Sequence, residues 1–151
     1  MIKYIVILLM FLLPSCDFFN SDDESNENQE NDDSINLDEY FSFNISNQLA
    51  YYFFDTVLVN NELLDSTDWV AAFKGDICVG AQQWTCQGTC DVPIYGEYSL
   101  NEETDGYMLP GEFPSFKIYD SSEDTYYDAV PSNQIAWQDG LMPVISSLVS
   151  E

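Results

Sequence analysis

The sequence contains no histidine and no arginine, and its basic residues are Lys3, Lys74 and Lys117. Without histidine there is no Ser–His or Cys–His nucleophile pair, no imidazole base and no imidazole ligand for a metal ion. Without a cluster of Lys or Arg the phosphates of a nucleic acid cannot be neutralised, so the sequence predicts no nucleic-acid partner. Any catalysis would depend on carboxylates, tyrosine, serine or a thiol.

Negative charge dominates the composition. The chain has 27 Asp and Glu residues against 3 basic ones, which gives a formal net charge of −24 at pH 7. It is nevertheless 46% hydrophobic and 15% aromatic, which is too apolar for a chain that is disordered throughout. A length of 151 residues therefore predicts one folded domain with a tail.

The N-terminus has the layout of an export signal, assigned to residues 1–15. Lys3 precedes an apolar run at 5–13, which is shorter than the about 20 residues that a membrane-spanning helix needs. The sequence Leu13-Pro14-Ser15-Cys16 resembles the lipobox of bacterial lipoproteins. That resemblance implies cleavage before Cys16 and lipidation of its thiol and new amine, and two or more acyl chains would anchor the protein stably in a membrane. The alternative is an ordinary secretory signal with an incidental cysteine.

Residues 16–38 are predicted to be the lipidated cysteine and a disordered acidic linker. Nine of the 22 residues from 17 to 38 are Asp or Glu, and such a segment cannot bury enough apolar surface to offset its ordering entropy. The cluster Asp22-Asp23-Glu24 resembles the signal that exports lipoproteins of the Bacteroidetes to the outer face of the outer membrane. A spacer that faces the periplasm is the alternative.

Residues 39–151 are predicted to form an antiparallel β-sandwich of the immunoglobulin-like or jelly-roll-like kind. Apolar residues alternate with polar ones, turn residues recur every eight to twelve positions, and no window predicts a helix. Asn60-Asn61 predicts a tight hairpin turn with positive φ, Gly75 another tight turn, and Gly80 a bulge or a close backbone approach. The predicted strands are 40–45, 51–59, 69–73, 77–84, 113–119, 125–130, 135–137 and 142–149. The prolines after residue 90 are expected at strand ends or on edge strands.

Three cysteines remain after Cys16. Cys86 and Cys90 enclose three residues, and in an exported protein the default expectation is a disulfide, which would shape one protruding loop and contribute about 2 kcal/mol. Cys78 is expected to be a buried, inert thiol, with a reactive or intermolecular thiol as the alternative.

Four segments carry a further resemblance: 68–80 (DWVAAFKGDICVG), 92–96 (VPIYG), 106–108 (GYM) and 116–120 (FKIYD). Together they resemble a module that recurs in secreted and surface proteins of the Bacteroidetes and allied marine bacteria. The resemblance covers about residues 43–148 and implies a compact β-sandwich used as an extracellular building block. It implies no activity and no catalytic residues.

Two groups of residues are candidates for a site. Planar side chains between residues 84 and 107 could stack on sugar rings or anchor a protein partner, with core or rim packing as the alternative that any one of them alone favours. These are Trp84, Tyr95, Tyr98 and Tyr107. The carboxylates of Asp120, Glu123 and Asp124 lie in one turn and could contribute to a calcium site, with solubilising charge as the alternative.

These observations predict a non-catalytic lipoprotein anchored in the outer membrane and displayed on the cell surface. Its partners would be the membrane, through the lipid, and an extracellular glycan or protein, with Ca²⁺ as a candidate cofactor. One alternative is a glycoside hydrolase with two carboxylates about 5 to 9.5 Å apart. Another is a structural or accessory subunit of a cell-surface complex.

Overall fold

The computed structural model describes residues 40–151. The predicted signal peptide at 1–15, the lipidation of Cys16 and the linker at 16–38 lie outside the described residues.

Ten β-strands and one short 3₁₀ turn, Glu102–Thr104, are the named elements of this part of the chain. The strands are β1 (Gln48–Phe54), β2 (Val57–Val59), β3 (Glu62–Leu63), β4 (Trp69–Lys74), β5 (Ile77–Gln83), β6 (Cys90–Gly96), β7 (Ser115–Asp120), β8 (Thr125–Pro131), β9 (Val144–Ile145) and β10 (Leu148–Ser150).

The strands form a seven-stranded sheet in the order β3-β2-β10-β8-β7-β4-β5 and a three-stranded sheet in the order β6-β1-β9. Neighbouring strands are antiparallel except for β1 with β9 and β2 with β10, which run parallel. The predicted all-β sandwich is confirmed.

Two long strands pass together from one sheet to the other. The predicted strand 51–59 divides into β1 and β2, which belong to different sheets, and the predicted strand 142–149 divides into β9 and β10. At the crossing, the backbone N–H of Asp55 donates to the carbonyl of Ile145 (3.0 Å) and that of Leu148 donates to the carbonyl of Thr56 (2.9 Å). The two strands therefore remain hydrogen-bonded to each other while they change sheets.

The main core lies between the sheets, and Trp137 is its largest fully buried side chain. Its indole N–H donates to the carbonyl of Ile94 at 2.9 Å, so the one polar atom of this side chain has a partner. The buried hydroxyl of Tyr52 likewise donates to the carbonyl of Ile135 at 3.1 Å. Residues 135–137 contribute to the core but form a loop, so the strand predicted there is wrong. The hydrogen bonds of Tyr52 and Trp137 and isolated backbone hydrogen bonds hold this loop in place of a strand ladder.

The local turn predictions are confirmed. Asn60 and Asn61 have φ values of 51° and 69°, and Gly75 has a φ of 60°. Between β4 and β5 the register shifts after Ala72, which pairs with Gly80 while the next residue pairs with Cys78. Gly80 therefore lies at a bulge, as its position in the strand predicted.

Two strand predictions were wrong besides that at 135–137. The strand predicted at 40–45 is absent, and Phe41 packs on Phe73 and Tyr126 instead (centroids 6.2 and 5.2 Å). Conversely, β6 lies in a segment for which the sequence predicted no strand. Pro93 interrupts the pattern there, and it is tolerated because β6 is an edge strand of its sheet.

Candidate functional site

A short loop between β5 and β6 is closed by the pair Cys86 and Cys90. The two residues are at disulfide-bonding distance, with their Cα atoms 5.9 Å apart, in agreement with the pairing expected from the sequence. Within the loop, the hydroxyl of Thr89 donates to the carboxylate of Asp55 at 3.0 Å. The loop is therefore tied to the end of β1 as well as to itself.

A depression of about 310 Å³ lies beside this loop. Its lining combines polar and apolar residues, which are Asp55, Thr56, Val57, Leu63, Leu64, Trp84, Cys86 and Gly88. The volume is at the lower end of the range for small-ligand sites, about 300 to 1,000 Å³.

The four aromatic residues proposed from the sequence do not form one stacking surface. Trp84 and Tyr107 are 7% and 4% exposed, and the Tyr107 hydroxyl accepts a bond from the backbone N–H of Asn44 at 2.6 Å. Both belong to the core, so the expectation that they stack on a ligand is corrected. Tyr95 and Tyr98 are half-buried.

Tyr95 belongs to a surface that the other three do not share, the outer face of the three-stranded sheet. The inward side chains of β1, those of Ala50, Tyr52 and Phe54, are fully buried. The outward positions would normally be polar in a sheet with one solvated face, but here they are apolar or aromatic except for Asp91 of β6, which lies opposite Phe53. We call this surface the β1 face; it consists of Leu49, Tyr51 and Phe53 of β1, Pro93 and Tyr95 of β6, and Met142 and Val144 at β9.

Tyr95 of the β1 face interacts with two neighbouring aromatic residues. Burial and the neighbouring hydroxyl of Tyr51 raise the pKa of Tyr95, and the Tyr95 ring stacks on Phe43 with centroids 5.6 Å apart. Apart from Tyr95, the sequence reasoning missed this surface. The signal was the run LAYYFF within β1, in which apolar side chains occupy both faces of the strand.

The three carboxylates proposed for calcium are each engaged by a different donor. Asp120 accepts from the backbone N–H of Glu123 (3.2 Å), Asp124 accepts from the hydroxyl of Tyr119 (2.8 Å), and Glu123 accepts from the hydroxyl of Tyr127. In residues 40–151 no group of three His, Cys, Asp or Glu residues is placed to hold a metal ion. The expected calcium site at these residues is corrected, because their oxygens accept hydrogen bonds from the turn backbone and from tyrosines of the flanking strands instead of converging.

The two lysines of the described residues are both in ion pairs. Lys74 lies 2.8 Å from the carboxylate of Glu112 and also donates to the carbonyl of Tyr107 at 2.9 Å. Lys117 pairs with Asp128. Residues 40–151 therefore offer an anionic ligand no unpaired cationic side chain.

Cys78 is a buried thiol, as the sequence predicted. It is 6% exposed, and burial raises its pKa to about 11. The reactive thiolate form is therefore scarce at neutral pH.

No protein-family model matches the chain, no curated protein matches it, and no solved structure matches it. Within residues 40–151 there is no helix of the length and hydropathy that crossing a bilayer requires. A functional interpretation therefore rests on the chemistry of the surfaces described above.

Proposed function

We propose that the protein is a non-catalytic binding module that a lipid on Cys16 holds at the outer membrane with its β-rich domain facing outward. The lipobox-like sequence before Cys16 and the acidic cluster Asp22-Asp23-Glu24 support the location. The β1 face supports the binding role. Its ligand is an extracellular glycan or protein.

The observation that carries the binding role is the exposure of the β1 face. Tyr51, Met142 and Val144 are 36%, 62% and 63% exposed, on a chain whose net charge is −24. A soluble surface rarely leaves neighbouring apolar side chains uncovered unless they bind something. The function therefore centres on these residues rather than on the acidic remainder of the surface.

The β1 face is also held in place by its backbone. The N–H groups of Tyr51 and Phe53 donate to the carbonyls of Leu141 (3.0 Å) and Pro143 (2.9 Å). These bonds fix the segment that carries Met142 and Val144 along β1. A surface ordered in advance loses less conformational entropy when a partner binds.

The composition of the face suits both ligand classes. Tyrosine and methionine are enriched at protein interfaces, and the planar ring of Tyr51 could stack on a sugar. The paired state of Lys74 and Lys117 disfavours an anionic ligand of either class.

The proposed location is tested by labelling cells with a palmitate analogue. We expect label in the wild-type protein and none in Cys16→Ser, and we expect protease added to intact cells to remove the wild-type domain. Labelling of Cys16→Ser would contradict the anchor. Protection from protease in intact cells, with digestion after lysis, would instead place the domain in the periplasm.

The proposed binding role is tested with the full-length chain in a detergent that has no sugar headgroup. Binding to a glycan array and to intact cells should fall at least about tenfold in the double variant Tyr51→Ala/Val144→Ser, since two apolar contacts are lost. Leu100→Ser is the matched control, because Leu100 is 82% exposed and lies outside the β1 face. Equal binding by the wild type and the double variant would contradict the proposal.

A further inference from the structure

The outer face of the seven-stranded sheet carries three aromatic residues in register. Trp69 of β4 lies opposite Tyr119 of β7, and Tyr119 lies opposite Tyr126 of β8. We call these three residues the aromatic row. Since neighbouring strands are about 4.8 Å apart, the backbone positions of the row extend over about 10 Å.

The aromatic row is not part of the main core. Val70 and Ile118, which adjoin it in sequence, are fully buried on the inner face. The row instead packs against a smaller cluster of buried residues on the outer face, which includes Phe41 and Phe73. Packing in the main core therefore does not explain why aromatic residues occupy these positions.

Residues 40 and 41 cover only one end of the row. Tyr40 and Phe41 contact the ring of Tyr126, with centroids 4.3 and 5.2 Å apart. Tyr119 contacts Tyr126 at 4.8 Å, and within residues 40–151 no aromatic ring is paired with Trp69. Trp69 and Tyr119 remain half-buried, with part of their surface open beyond this cover.

We propose that the aromatic row binds a neutral polysaccharide, with successive sugar rings stacked on Trp69 and Tyr119. The C–H faces of a sugar ring are apolar and flat, and they pack well on planar aromatic side chains. The hydroxyl groups at the edge of the sugar require acceptors. Asp124 accepts from the Tyr119 hydroxyl at 2.8 Å, and Gln83 lies opposite Trp69 on β5.

The charge around the row selects a neutral ligand. Lys117 lies on β7 two residues before Tyr119, and it is paired with Asp128 of the neighbouring strand. Asp124 adds a carboxylate at the row itself. Uronic acids or sulfated sugars would be repelled by this surface, as would a second copy of a chain with a net charge of −24.

The same row favours a glycan over a protein partner. All three of its side chains are aromatic, whereas the β1 face mixes aromatic with aliphatic side chains. The row and the β1 face belong to different sheets. Binding at either surface can therefore be lost without loss of the other.

Tryptophan fluorescence provides a direct test. The chain has three tryptophans, and Trp84 and Trp137 are only 7% and 1% exposed, so Trp69 is the one that a surface ligand can contact. The probes are soluble β-1,3-glucan, β-1,4-xylan and β-1,4-mannan, added to the full-length chain in a polyoxyethylene detergent. At least one should shift the emission to shorter wavelength and reduce quenching by acrylamide, whereas alginate should do neither.

Variants then locate the site by affinity electrophoresis in gels that contain the same polysaccharide. Trp69→Ala and Tyr119→Ala should each bind about tenfold more weakly, since each loses one stacking contact. Trp69→Phe and Tyr119→Phe retain a ring and should bind within about threefold of the wild type. Tyr51→Ala, on the β1 face, is the control and should bind as the wild type does.

Three results would overturn the proposal. The first is a failure of all three neutral polysaccharides to bind, and the second is equal binding by the wild type, Trp69→Ala and Tyr119→Ala. The third is loss of polysaccharide binding only in Tyr51→Ala, which would transfer glycan binding to the β1 face. If Trp69→Ala does not fold, the comparison of Tyr119→Ala with Tyr119→Phe decides the outcome.

Discussion

A Cβ atom on Gly80 would lie 1.8 Å from the carbonyl oxygen of Pro93. Gly80 belongs to β5, at the edge of the seven-stranded sheet, and Pro93 to β6, at the edge of the three-stranded sheet. The two sheets therefore meet backbone to backbone at this point. Such an approach is possible because glycine has no side chain.

Gly80→Ala is expected to lower the free energy of unfolding by about 3 kcal/mol or more, because the added methyl group forces two backbones apart. Gly75→Ala is the matched control. Its Cβ would meet nothing within 4 Å, and its cost comes from a φ of +60° alone, about 1 to 2 kcal/mol. Urea denaturation measures both, and an equal loss in the two variants would contradict the close contact.

Reduction of the disulfide is expected to destabilise the domain by about 2 kcal/mol, because the closed loop is short. Cys86→Ser should cause about the same loss, since Cys86 is exposed and the group left buried is the weakly polar thiol of Cys90. Thermal unfolding with and without dithiothreitol measures the effect. The variant should not respond to the reductant, and a wild type that does not respond either would show that the pair is not oxidised.

Cys78 is expected to resist alkylation in the folded protein at pH 8, because it is buried and its pKa is raised to about 11. After denaturation without reductant it should become the one thiol of residues 40–151 that reacts, and reduction should add Cys86 and Cys90. Iodoacetamide labelling followed by mass spectrometry counts the thiols. Rapid labelling of Cys78 in the folded chain would contradict its burial.

Tyr52 lies in the core between the two sheets, and Tyr126 lies on the outer face of the seven-stranded sheet. We expect these two tyrosines to respond differently to loss of their hydroxyl groups. Tyr52→Phe should cost about 1 kcal/mol, because it removes the bond to the carbonyl of Ile135. Tyr126→Phe should be neutral or stabilising, since the Tyr126 hydroxyl is buried without a hydrogen-bond partner among residues 40–151. Urea denaturation of the pair checks the difference, and a larger loss for Tyr126→Phe would contradict it.

Stability is expected to decrease at alkaline pH. Burial raises the pKa of both Tyr52 and Tyr126 from 10.0 to about 12. Because the folded state holds these protons more tightly than the unfolded state, their contribution is complete below pH 10 and is lost as the pH rises to about 12. Denaturation midpoints measured from pH 8 to 12 should show this fall, with a smaller slope in Tyr126→Phe, and an unchanged slope would contradict the assignment.

The parts of the fold that depend on residues close together in the sequence could be predicted. The turns at Asn60-Asn61 and Gly75 and the hairpin of β4 and β5 follow from conformational preferences and alternation within a few residues. The bulge at Gly80 also has a local signal, because an isolated glycine within a strand pattern indicates one.

The remaining features depend on contacts between distant parts of the chain. The division of 51–59 into β1 and β2 depends on the parallel partner that arrives at the end of the sequence. Nearby sequence likewise does not determine whether an aromatic side chain faces the core or the outer surface of a sheet. Trp84 and Tyr107 proved to be buried, whereas Trp69 and Tyr119 form a row only because β4 and β7 pair in one particular register.

The pairing of β2 with β10 constrains the order in which the domain can form. Val57 and Leu58 lie beside Leu148 and Val149, near the two ends of the described chain. A nascent polypeptide that has not yet released residues 148–150 lacks the strand that lies between β2 and β8. Closure of the seven-stranded sheet must therefore wait until residues 148–150 have joined residues 57–59, and we expect this long-range contact to slow folding.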